Sequence, residues 1–306
     1  MMDAAKRVVS ARTRCALRSQ YNFLRERGPL QFVKLNALLI DGAVRERLNR
    51  SAYQVLDERQ LASVRRSDTV FVFGSGSSLN DITSAQWQHI AGHDTFGFTA
   101  FIYQHWVRVD YHLIRGGVEN VLMSRPFAED FCRTLNANPK FADTCFILQG
   151  EYRAMFANQI LGHRWLRQGA RVYRYRTAPE GGLPTSSLQE GVRHTGGTLG
   201  DAVNVAACLG WKHIVLVGVD LYDSRYFWLR PDETLEFDSV TGLLKPGTIN
   251  ARGHRPDEVH NTARNGVVEM MDQWRQHLER DRGICMSVFN PRSLLADVMP
   301  LYRLPL

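Results

Sequence analysis

A strand that runs straight into glycines constrains this chain more than any other stretch. Residues 69–83 read TVFVFGSGSSLNDIT: Val70, Phe71, Val72 and Phe73 suit a buried strand, and Gly74-Ser75-Gly76-Ser77-Ser78 follows at once. A helix-like pattern begins soon after, at Ser84. Glycines let a backbone approach closely and adopt φ values other residues resist, and the amides and serine hydroxyls of such a turn can hold a phosphate. At the C-terminal edge of a parallel sheet, a turn of this kind is where nucleotides bind. The competing reading is a tight connection that holds nothing, because short glycine motifs are weak signals.

Beyond the turn, strand-like and helix-like pieces alternate in the α/β manner. Helical patterns cover 84–91, 118–135, 151–167, 198–209 and 265–282; strands are predicted at 95–99, 111–114, 144–148, 171–175, 214–220 and 284–289. Two segments break the pattern. Residues 177–197 are rich in Gly, Pro, Ser and Thr, and 225–258 form a second irregular excursion; long loops like these are usually functional or mobile. The strand ending in Val219-Asp220 carries an acid to a sheet edge, where sites are built.

Composition narrows the class. With 306 residues, 44% of them hydrophobic, the chain can bury a sizeable core as one large α/β domain or two small ones. The five cysteines (Cys15, Cys132, Cys145, Cys208, Cys285) are odd in number and form no C-x-x-C pair, which points away from a disulfide framework or a zinc site and towards a reducing compartment. No apolar run is long enough to span a bilayer and no secretory h-region is visible, so a cytoplasmic location is expected.

The net charge of +7 is concentrated at one end: residues 1–66 hold 14 Lys/Arg against 6 Asp/Glu, leaving the rest close to neutral. That asymmetry excludes a globally basic nucleic-acid binder and indicates a basic helical appendage, 1–66, ahead of an α/β domain, 67–306, with a lid-like insertion at about 223–258. Apolar residues from Leu17 to Ile40 lie among its arginines at loosely helical spacing. Two readings follow: an interfacial helix on anionic lipid, peripheral on the inner membrane, or helices packed on the main domain.

Standard nucleotide motifs fail. Leu79 stands where a dinucleotide fingerprint needs its third glycine, and no acid ends the following strand, Asp94 lying before it. There is no Gly-Lys-Ser/Thr of a P-loop and no Asp-x-Asp to hold a metal on a sugar diphosphate. The acids Asp220 and Asp223 are the remaining option for a metal, and none is expected.

Four motifs, Phe71-Val-Phe-Gly-Ser-Gly-Ser-Ser-Leu79, the fifteen residues from Cys208 to Tyr222, His260-Asn-Thr and Asn290-Pro-Arg-Ser-Leu-Leu-Ala296, resemble those of the Campylobacter-type bacterial sialyltransferases, glycosyltransferase family 42. They fall in family order over 69–299. The resemblance implies a single Rossmann-like, mostly parallel sheet flanked by helices, a GT-A-like variant, and inverting transfer of a sugar from a cytidine monophosphate donor with no metal or other cofactor. It implies a glycan acceptor such as a lipooligosaccharide or capsule precursor, and a homo-oligomer.

Site residues implied by the resemblance are these. Gly74, Ser75, Gly76, Ser77 and Ser78 cradle the nucleotide, although Ser75 and Thr99 each replace a family asparagine. Tyr222 and Tyr226 match the tyrosines that support the departing phosphate as neutral O–H donors. Thr195, Gly196, Gly197 and Thr198 match a turn beside the donor, with Arg193 or His194 near its arginine, and Asp220 joins the donor-binding set. Arg115 stands where the family has asparagine; its guanidinium can clasp the carboxylate of a nonulosonic acid, or select a related sugar such as Kdo. His260 is the base candidate, since a sugar hydroxyl needs one and imidazole titrates near neutrality, with His254 and His194 as rivals. Alternatives are a CMP-Kdo transferase, a pyrophosphokinase of the hydroxymethylpterin type, and a membrane-docked nucleotide-binding module.

Overall fold

Apolar residues on both faces of most strands call for a sheet covered on both sides, and the computed structural model has that arrangement. It describes residues 11–115, 125–150, 156–178, 181–223, 225–229, 235–237, 244–246 and 259–304. In chain order the main elements are α1 (Ala11–Asn49), β1 (Gln54–Val55), α2 (Glu58–Ala62), β2 (Thr69–Phe73), α3 (Ser84–Ala91), β3 (Asp94–Phe98) and β4 (Tyr111–Ile114). Then come α4 (Arg125–Ala137), β5 (Cys145–Gln149), α5 (Phe156–Gly162), β6 (Arg171–Tyr175), α6 (Thr198–Leu209) and β7 (His213–Val217). The chain closes with β8 (Leu235–Phe237), β9 (Leu244–Pro246), α7 (Asn261–Arg264), α8 (Val267–Arg282) and β10 (Cys285–Val288).

Eight strands form one sheet in the order β1-β6-β5-β4-β3-β2-β7-β10, and every pair in it is parallel. From β2 the chain steps outward to β6, then returns to lay β7 on the other side of β2. The strand order therefore reverses between β2 and β7, and the crevice beyond their carboxyl ends is where such folds bind ligands. Strand alternation divides the core. Val70, Val72, Ile214 and Leu216 face α6 and α8, whereas Phe71, Phe73, Val215 and Val217 face the layer holding Trp87, Ile90, Leu135 and Ile160.

Most predicted elements appear within a residue or two. Helix α3 matches its prediction because Thr83 and Gln86 form a capping box that sets its start. Helix α4 covers the described part of the helix expected at 118–135 and runs on to Ala137, whereas α5 stops at Gly162, short of the expected end at 167; 116–124 and 151–155 lie outside the described residues. The strand expected at 214–220 stops at Val217, since Gly218 turns to φ 63°. Helix 265–282 is broken at Gly266, φ 76°, which caps α8.

The basic N-terminal segment is more than a helical appendage. After α1, Gln54 and Val55 pair with Arg171 and Val172 and extend the sheet edge. Helix α1 kinks at Gly28-Pro29, and its later half buries Leu35 and Leu39 and packs on α5, where the Gln159 amide donates to the Leu38 carbonyl at 2.7 Å. Within the irregular 225–258 stretch, β8 and β9 pair antiparallel.

Candidate functional site

At the β2/β7 reversal lies a cleft of about 500 Å³. Gly74, Ser75, Gly76, Thr99, Arg115, Gly196, Gly197, Thr198, Asp220, Tyr226 and His260 all line it. Residues spread over nearly 190 positions of sequence thus converge because most of them follow a strand or precede a helix at the same sheet edge, Tyr226 coming from the insertion. Ser77, Ser78, Thr195 and Tyr222 are not among its lining residues.

The glycine turn works differently from its sequence-based reading. Neither Gly74 nor Gly76 has a positive φ. A side chain at Gly74 would sit 2.5 Å from the Gly218 carbonyl, and one at Gly76 would collide with the Asp220 carboxylate. These glycines are needed for the close approach of β2 to β7. The turn also spends its own amides: Gly74 donates to Val217 and Gly76 to Gly218, both at 2.8 Å, and Ser78 donates to Asp220 at 2.9 Å. Ser75, which lines the cleft, is the serine of the turn placed to meet a ligand.

Asp220 is buried and already satisfied. It accepts from the Ser78 amide and hydroxyl and, at 2.9 Å, from the Asn290 side-chain amide. It clamps the glycine turn to the end of β7 and to the Asn290 motif. Asp223 is held by Arg225 at 2.6 Å; burial raises its pKa, but the Arg225 hydrogen bonds outweigh that and keep it below the usual carboxylate value.

Opposite, helix α6 opens into the cleft with Gly197 as N-cap at φ 74° and, among the described residues, no side chain capping its amides. Such a terminus favours an anion. Just inside it, the fully buried Asp201 takes three partners: Arg115 at 2.6 Å, the Tyr175 hydroxyl at 3.1 Å and His194 Nδ1 at 2.8 Å. Burial, then Asp201 itself, pushes the Tyr175 phenol well above its ordinary pKa and keeps it a donor. The Asp201 carboxylate fixes one end of the Arg115 guanidinium, which still has donors to offer the cleft. The Thr195 hydroxyl, beside this helix start, is buried without a partner among the described residues.

An aromatic wall completes the site. Tyr226 stacks on Trp228 with centroids 4.4 Å apart, and Trp228 meets Tyr103 at 4.9 Å; all three line the cleft. Tyr226 bridges antiparallel to Gly76, so the start of the insertion lies on the glycine turn. Burial raises the Tyr226 pKa, holding it as an O–H donor. Tyr222 instead lies beneath the Arg292 guanidinium, 5.7 Å from ring centroid to Cζ. Two cleft residues, Thr99 (φ 49°) and Leu221 (φ 63°), are non-glycine residues held in the left-handed region, strain that tends to gather at functional sites.

The histidines differ in tautomer. His260 lines the cleft, and its Nδ1 accepts the Thr262 amide at 3.1 Å, so the neutral ring carries its proton on Nε2. His194 is the reverse: Asp201 takes its Nδ1–H, leaving Nε2 as the acceptor. His254 lies outside the described residues.

Asp201, Tyr103 and Trp228 were not singled out from sequence. The signal for Asp201 was a lone acid in a run of small apolar residues; for Trp228, its place as the third of three consecutive aromatics, Tyr226-Phe227-Trp228.

No family model and no curated protein matches this chain. A solved structure described as the MAf glycosyltransferase from Magnetospirillum magneticum AMB-1 is similar over 76% of this chain, at 15% identity and a TM-score of 0.39. The match covers 35% of that protein, so this chain spans about a third of its length.

Proposed function

We propose that this chain is an inverting, metal-independent glycosyltransferase that moves sialic acid or a related acidic sugar from a CMP-activated donor to a glycan hydroxyl. One observation carries the reading: the glycine turn, Arg115, the α6 N-terminus, Tyr226 and His260 border a single cleft at the strand-order reversal of a parallel sheet.

Each wall has a part. The Ser75 side of the glycine turn and the α6 amides receive the nucleotide phosphate, and the Tyr103-Tyr226-Trp228 wall offers a flat apolar face to a ring. Arg115, oriented by Asp201, takes the sugar carboxylate. As the anomeric carbon–oxygen bond breaks, its electron pair leaves on the phosphate of CMP, and the Tyr226 hydroxyl donates to the growing charge. The acceptor oxygen attacks the opposite face, its proton passes to a base, and the configuration inverts.

His260 is that base by location. To act through Nδ1 it must release the Thr262 amide, at a cost of about 1 kcal/mol. A second reading rests on the tautomer: His194, with Nδ1–H held by Asp201 and Nε2 ready to accept, serves if a bound donor brings the acceptor to it.

Thermal unfolding in EDTA tests the donor class. CMP or CTP is expected to raise the melting temperature, because ligand bound to the native state alone stabilises it. Stabilisation by UDP or ATP without CMP would defeat the reading and favour a pyrophosphokinase. Mass-spectrometric detection of CMP released from a panel of CMP-sugars then separates sialic acid from Kdo.

A further inference from the structure

Helix α1 is apolar on two opposite faces. One stripe, Leu35, Leu39 and Gly42, recurs at helical spacing and packs on α5. On the other side, Leu30 (66% exposed), Val33 (63%), Ile40 (65%), Val44 (54%) and Leu48 (73%) line up with the exposed Ala37. At 100° per residue the two stripes point in opposite directions, and the second runs for about 27 Å along the helix. Scattered exposed apolar residues are ordinary; a continuous stripe this long marks a contact surface.

Charge decides what the surface meets. After the kink, Lys34 and Arg45 flank the stripe on one side and Arg47 on the other, with Arg50 just past the helix end, and all four are exposed. Of the acids, Asp41 is bonded to Arg45 at 2.7 Å, and Glu46 is turned inward to Arg174 at 3.1 Å. A second copy of this helix, parallel or antiparallel, would place cationic flank against cationic flank, which disfavours pairing. An anionic bilayer satisfies both features: the apolar stripe sinks into the headgroup–acyl boundary and the basic flanks meet lipid phosphates.

We infer that residues 30–48 form an in-plane docking face for an anionic membrane surface, with the opposite side of the same helix anchoring the catalytic domain. Among the described residues no helix is long and apolar enough to cross a membrane, so this is contact with one leaflet. The inference stands apart from the donor and reaction proposed above.

Co-sedimentation of the full chain with vesicles tests it. Binding is expected to phosphatidylglycerol-containing vesicles at low salt, with release at high salt and little binding to pure phosphatidylcholine. Ile40→Asp with Val44→Asp should cut partitioning by about tenfold or more, at an unchanged melting temperature because both side chains are exposed. Lys34→Glu with Arg47→Glu should remove the preference for anionic lipid, again by about tenfold. Undiminished binding by the Ile40/Val44 variant, or no binding at low salt, overturns the inference. So does light scattering that finds a dimer which the Ile40/Val44 variant dissociates, since the face then belongs to a second copy.

Discussion

Two buried aspartates, one on each lip of the cleft, do opposite work. Asp220 closes a neutral circuit: backbone amide, serine hydroxyl and asparagine amide, with no cation among those partners. Asp201 holds an open one, in which a guanidinium that lines the cleft and a half-buried imidazole share its carboxylate. A carboxylate saturated by neutral donors fixes shape, because its charge is already spread over short dipoles. A carboxylate paired with a cation that lines the cleft sets the orientation of that cation. Burial of an acid therefore says little about its role until its partners are named.

The largest expected effect sharpens the second circuit. His260→Ala should lower turnover by roughly 10²- to 10⁴-fold while CMP binding, read by thermal shift, is unchanged, and His194→Ala should cost less than about tenfold. The reverse ranking transfers the base to the His194–Asp201 pair.

Next comes stability on the Asp220 side. Asp220→Ala leaves the Ser78 amide and hydroxyl and the Asn290 amide unsatisfied, and is expected to cost about 3 kcal/mol in a urea titration. A loss under about 1 kcal/mol would mean the clamp is dispensable and the contrast between the two acids is wrong.

Arg115→Gln should raise the donor KM by about tenfold to a hundredfold, as one charge-assisted pair to the sugar is lost. An unchanged KM would make Arg115 a purely structural partner of Asp201. Tyr226→Phe should slow turnover by about tenfold; Tyr222→Phe, off the cleft wall, should slow it less.

The smallest effect tests the strand between the two lips. His112, fully buried in β4 two residues before the cleft residue Ile114, is held neutral: burial pushes its pKa down to about 3 against a weaker opposing pull from the Thr99 backbone. The unfolded chain binds a proton there below about pH 6.5 and the native chain does not, so stability falls as pH drops. Between about pH 5.5 and 4 the slope from this group approaches about 1.4 kcal/mol per pH unit. His112→Leu should flatten that limb in urea titrations, and an unaltered slope would assign it to other groups.

Much of the site was legible because strand ends announce themselves. The glycine turn, the acid after β7 and the turn before α6 each combine a short apolar run with glycine or small polar residues, and all lie at the cleft edge. Roles were harder to read. Gly74 and Gly76 look like residues reserved for a ligand, yet what crowds them is the chain's own Gly218 and Asp220.

Local pattern and local sterics, the 2-residue and 3.6-residue apolar periods, capping boxes and glycine breaks, were sufficient to set the α/β class and nearly every element of the main sheet except one. That exception is β1, two residues long and thus without a period, which becomes a strand only because Arg171 and Val172 present an open edge to it. The placing of β7 beside β2, the meeting of Arg115 with Asp201 across 86 positions, and the outward turn of Leu30 to Leu48 were likewise decided by tertiary structure. Each depends on contacts between residues far apart in sequence, whose free energy exists only once the sheet has closed around them.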